Sequence, residues 1–150
     1  MSTDEKVTQE LVQTLEDGKQ GYEAAASRLE ESGHSEQAAV CRNYSTQRAE
    51  FSDNLKRIAG TYGDDVDQSG TVTGTLHRSW LALKDALSGS GAHAVLAAAV
   101  QGEDHAVEEY DKALAADISP EFRSTVQQQA AAVREARDRM IALRDAAKDR

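Results

Sequence analysis

Glu103 is the residue in this sequence that most needs a chemical explanation. It stands in LAAAVQGEDHAVEEYDKAL, residues 96–114, where Leu96, Val100, Val107, Tyr110 and Leu114 recur at three- and four-residue steps. That spacing puts them on one helical face. The same steps pass through Glu103, so a carboxylate sits inside an apolar seam. A second charge is placed the same way. Cys41, Tyr44, Arg48, Phe51, Leu55, Ile58 and Tyr62 alternate steps of three and four, and Arg48 falls among them. An inward carboxylate is either a metal ligand or half of an ion pair. An inward guanidinium is either paired or reaches past its neighbours along its methylene stem.

The metal alternative makes demands that can be checked by spacing. A di-metal carboxylate centre in a helical bundle takes a glutamate from each of two helices and a Glu-x-x-His pair from each of the other two. Here the Glu-x-x-His pattern occurs only as Glu31-Ser32-Gly33-His34, which falls in a turn. Glu50 with Asp53 and Glu135 with Asp138 have the spacing of such pairs but no histidine. The carboxylates left for an atypical centre are Glu16, Glu23, Glu50, Glu103 and Glu108. A cation such as Arg48 at their level argues against dications. His105 and Glu109 point off the seam and read as a surface pair. His34 and His93 lie near one end of the helices, and Cys41 on an apolar seam reads as a small core residue. His77, Arg78 and Trp80 form a cluster that contacts either the rest of the chain or a protein partner. A pocket around Trp80 for a small molecule is a third possibility. No glycine-rich phosphate loop, nucleophile elbow or cysteine cluster is present.

The elements that position these residues are helices. The 150 residues include one proline, 39% are hydrophobic with much alanine, and 5% are aromatic. That composition suits long helices packed through small side chains, in one domain spanning residues 1–150. The net charge of −9 disfavours binding to nucleic acid and to anionic membranes. No apolar run approaches the ~18 residues of a membrane span, and the first residues lack a signal-peptide core. With one cysteine there is no internal disulfide, and the expected location is cytoplasmic.

Four long helices are expected, at about residues 4–32, 36–62, 92–116 and 120–148, with a shorter one at about 71–87. Thr3 or Asp4 caps the first, with Val7, Leu11, Leu15, Gly18, Tyr22, Ala25 and Leu29 as its seam. Gly18 on that seam costs roughly 1 kcal/mol against alanine, which implies a bulky neighbour needing the space. Ser119 and Pro120 form a helix start signal. The last helix turns Phe122, Val126, Gln129, Val133, Met140 and Leu143 inward. The short helix carries Val72, Leu76, Trp80, Leu83 and Leu87 on one face.

The short turn at Ser32-Gly33-His34 makes the first two helices an antiparallel hairpin, and the last two long helices form another. The short helix then serves as the long crossover between hairpins. This is the all-α, ferritin-like four-helix arrangement. It makes the second and third long helices parallel, with Arg48 and Glu103 twelve and eleven residues from their starts. The two charges therefore stand at one level and are expected to pair. Gly18 makes room for the arginine, while Tyr22 and Gln129 extend a core polar network.

The ordered set Leu15-Glu16-Asp17-Gly18 with Tyr22, Gln47-Arg48 with Phe51 and Leu55, Thr73-Gly74-Thr75-Leu76-His77-Arg78 with Trp80, Leu83 and Lys84, Gly102-Glu103-Asp104 with Tyr110, and Gln129 with Val133 resembles a bacterial family of ferritin-like four-helix-bundle proteins of unknown function. The resemblance covers nearly the whole chain. It implies the fold, the lack of the usual diiron ligands and an association with stress responses, and it implies no reaction. Where the family often has histidine, this chain has Arg137. Ferritin-like relatives tend to form dimers or larger assemblies, so a homodimer or another protein partner is expected. No cofactor and no catalytic residue are expected; an atypical iron-handling or oxidase protein is the competing reading.

Overall fold

The computed structural model describes residues 3–61 and 91–147, and among them every regular element is a helix. The helices are α1 (Thr3–Glu31), α2 (Ser35–Thr61), α3 (Ala92–Ala115) and α4 (Pro120–Ala146). Their ends fall within one or two residues of the expected bounds. The expected crossover helix at 71–87, with its Trp80 face, lies outside the described residues.

Each joint has a local cause. At the end of α1, Gly33 takes a φ of +84°, the left-handed conformation in which glycine carries no steric penalty. His34 N then donates to Leu29 O at 2.8 Å and Gly33 N to Glu30 O at 3.1 Å, which closes the helix with a Schellman motif. The fixed turn forces α2 back along α1. Between α3 and α4, Ser119 occupies the N-cap position without a side-chain cap bond, and Pro120 stands in the first turn. The serine thus marks the start of α4 without capping it through its side chain. Ser119 N donates to Asp4 Oδ1 at 2.9 Å, tying the start of α1 to this corner. Arg123 covers two carbonyls at the end of α3, Leu114 O at 2.6 Å and Ala116 O at 2.9 Å.

These joints set the directions. The start of α1, the end of α2, the end of α3 and the start of α4 share one end of a four-helix bundle. α1 packs against α2 and α3, α3 packs against α4, and α2 meets α4 more lightly. The parallel helices α2 and α3 therefore face each other across the bundle diagonal. The core divides into two apolar clusters. One gathers Ala25, Leu29, Cys41, Val95, Leu96 and Met140. The other gathers Leu11, Leu15, Leu55, Phe122, Val126 and Val133 toward the opposite end.

α2 is rotated relative to the seam read from its sequence. Arg48, Cys41 and Leu55 are buried as that seam requires, but so are Ser45 and Ser52, at 6% and 0% exposure. Tyr44, Phe51 and Ile58 are only half-buried. Ser45 Oγ donates to Lys19 O at 3.0 Å, so the small serine lets α2 approach the α1 backbone and turns the larger residues aside. No helix among the described residues is long and apolar enough to cross a membrane.

Candidate functional site

Between the two apolar clusters lies a buried charged layer. Arg48, from the middle of α2, extends across the diagonal to Glu103 on α3. Nη1 donates to Oε1 at 2.5 Å and Nη2 donates to Oε2 at 2.7 Å. The fork matches the carboxylate oxygen for oxygen, the geometry in which arginine binds carboxylates most strongly. The two side chains are 2% and 0% exposed. Tyr22 of α1 donates its hydroxyl to Glu103 Oε2 at 2.6 Å, and the Arg48 guanidinium carbon lies 5.4 Å from the centre of the Tyr22 ring. Arg48 Nε donates to Gln47 Oε1 at 3.2 Å. Both oxygens of Glu103 are thus occupied by protein donors.

The electrostatics hold Arg48, Tyr22 and the neighbouring Cys41 each in one protonation state. Burial on its own would lower the Arg48 pKa, but the charge and hydrogen bonds of Glu103 outweigh it and raise it above the ordinary value. Burial raises the Tyr22 hydroxyl well above its usual range; Glu103 adds to this and Arg48 opposes it. Cys41, also buried, is pushed up to about 12, first by burial and then by the Glu103 charge. The phenol and the thiol remain neutral and the guanidinium cationic through the neutral range. These three groups therefore do not exchange protons near neutral pH.

Gly18 borders Arg48. A β-carbon at Gly18 would meet Arg48 Cγ at 3.6 Å and Nη1 at 3.7 Å, which is ordinary van der Waals contact. The glycine therefore leaves more room than the arginine uses. Gln129 stands apart from the ion pair. Its Oε1 accepts from Tyr110 OH at 2.8 Å and its Nε2 donates to Phe51 O at 3.3 Å, so it builds a second buried polar bridge between α2, α3 and α4. Tyr110 looked purely apolar in the sequence. The one available hint was that a buried tyrosine hydroxyl needs a partner.

The remaining candidates are dispersed. Glu16 is half-buried, and Glu23, Glu50 and Glu108 are exposed. Among the described residues no group of three histidine, cysteine, aspartate or glutamate side chains comes together as a metal would require. His105 Nδ1 lies 3.6 Å from Glu108 Oε2, while Glu109 pairs with Lys112 at 2.9 Å. His34 Nδ1 lies 3.1 Å from Ser32 Oγ in the exposed turn. Arg137 lies 3.6 Å from Asp138 and 4.0 Å from Asp104. His77, Arg78 and Trp80 lie outside the described residues. An open groove of about 520 Å³ between the start of α1 and the end of α3 is edged by Lys6, Glu10, Glu109 and Lys112, charges of both signs over Val7 and Leu11.

No curated protein matches the sequence. Residues 5–117 match a family model described as a domain of unknown function, DUF2383. That span takes in Tyr22, Arg48 and Glu103 and stops before α4 and Gln129. The chain thus belongs to the DUF2383 family.

Proposed function

We propose that this protein is a non-catalytic, ferritin-like bundle that acts by associating with itself, and that its mid-bundle ion pair occupies the level at which ferritin-like relatives hold metal. The observation that carries this reading is the capture of both Glu103 oxygens by Arg48, with Tyr22 as a third donor. A dication at that carboxylate would have to displace a buried guanidinium and would meet its positive charge. The family resemblance adds a stress-related role in a bacterial cytoplasm to this proposal.

Elemental analysis of the purified protein, followed by anaerobic ferrous titration, tests the reading. The expected outcome is no stoichiometric metal. Tight binding of about two ions per chain, as in a carboxylate di-metal bundle, would overturn it in favour of an iron-handling or oxidase protein.

A further inference from the structure

The rotation of α2 leaves an unusual surface. Val40, Tyr44, Gln47, Phe51, Asn54 and Ile58 recur at steps of four and three, and all six are half-buried. They form a stripe about 27 Å long on α2, in which Val40 and Tyr44 pack in part against one core cluster and Phe51 and Ile58 in part against the other. The 4-3 repeat is the spacing at which a second helix packs side by side.

We infer that this stripe is a docking surface for the α2 helix of a second copy of the chain, packed antiparallel. The inference rests on the self-association proposed above and supplies its interface. Two independent features select this occupant. The first is the distribution of charge. α1 carries eight carboxylates against three cations and α3 five against one, while α2 has three against four and α4 four against five. The α1–α3 side is therefore strongly acidic and repels its own copy, whereas the α2–α4 side is close to neutral. Association through α2 keeps the acidic sides apart.

The second feature is the register. Five of its six positions, Val40 to Asn54, are close to symmetric about Gln47, while Ile58 falls opposite the partner's Glu36. Laid antiparallel on itself, the stripe sets Tyr44 against the partner's Phe51, Val40 against the partner's Asn54, and Gln47 against the partner's Gln47. Exposed Glu36 and Arg57 lie on the same flank near opposite ends of α2. The same register places each Glu36 beside the partner's Arg57, one residue from the exact symmetry position, giving two pairs of opposite sign. A self-complementary patch of this kind is what a two-fold interface requires.

Sedimentation equilibrium and a cysteine cross-link test the proposal together. The wild-type chain should dimerise. Arg57→Glu should weaken the dimer about tenfold, through two like-charge contacts, and adding Glu36→Arg should restore it. In a Cys41→Ala background, Gln47→Cys should oxidise rapidly to a covalent dimer while Gln101→Cys on α3 should not. A dimer indifferent to the charge reversals, or cross-linked from α3 instead, overturns this surface and leaves self-association standing. A chain that stays monomeric at every concentration, its stripe covered from within or simply solvated, overturns both.

Discussion

Arg48 holds Glu103 at both carboxylate oxygens from across the bundle diagonal, and the two side chains are almost wholly removed from water. Two charges at that depth stabilise the fold only as a pair, since each has exchanged hydration for the other. Removing either partner strands the remaining charge. Arg48→Met and Glu103→Gln should each cost about 3–5 kcal/mol of unfolding free energy. The double variant should cost clearly less than the sum, because neither residue then needs the other. Urea unfolding of the four proteins measures the coupling. Additive losses would show that the pair does not act as a unit.

Tyr22 contributes through its hydroxyl and its ring separately. Tyr22→Phe removes the 2.6 Å hydrogen bond to Glu103 but keeps a ring beside Arg48. Glu103 still holds its two contacts to Arg48, so the loss should be about 1.5–3 kcal/mol, the range for one hydrogen bond to a charged group. Tyr22→Leu should cost more, because it also removes the cation–π contact and aromatic packing against Tyr44, whose ring centre lies 5.5 Å away. Equal losses for the two variants in chemical denaturation would mean that the ring contributes nothing beyond its hydroxyl.

What the sequence revealed and what it hid follow from two kinds of information. Helix ends are local: the glycine of the Ser32–His34 turn and the Ser119-Pro120 start are visible as residue types, and they fix helix direction. Counting from those ends puts Arg48 and Glu103 at one height, so their meeting follows from two parallel helices. Helix rotation is not local. Ser45 and Ser52 look like surface residues, yet both are interior, and at Ser45 it is the close approach of the α1 backbone at Lys19 that makes it so. The same holds for Gln129. Its height on α4 can be counted, but its partners, Tyr110 and the Phe51 carbonyl, depend on how α4 is turned toward α2 and α3.

Gly18 stands beside Arg48 without being required by it. The nearest atoms a methyl group would meet are at 3.6 and 3.7 Å, ordinary contact distances. An alanine there keeps the arginine in place and removes the conformational penalty of a mid-helix glycine. Gly18→Ala should therefore stabilise the protein, by up to about 1 kcal/mol. Gly18→Leu should destabilise it, because the longer side chain enters the volume of the guanidinium stem. Thermal unfolding of both variants separates the effects. A destabilising alanine would show that Arg48 needs the bare backbone.

Alkaline pH should loosen the bundle from its centre, beginning with Cys41. The thiol is pushed up to about 12 from an ordinary value of 9.0, chiefly by burial. Below pH 9 the thiol is protonated in both the folded and the unfolded chain, and stability does not depend on it. Between pH 9 and 12 the unfolded chain releases this proton while the folded chain keeps it. The unfolded state then binds fewer protons, so the unfolding free energy falls as pH rises, by at most about 1.4 kcal/mol per pH unit for this one group. Tyr22 and Tyr110, both raised first by burial, add losses of the same sign once pH passes their ordinary value of 10.0. Denaturant titrations between pH 7 and 11 should show a plateau and then a steepening decline. Cys41→Ala should delay that decline by about one pH unit, since the tyrosines then act first. A decline that begins at pH 9 with or without the thiol would place its origin outside the buried layer.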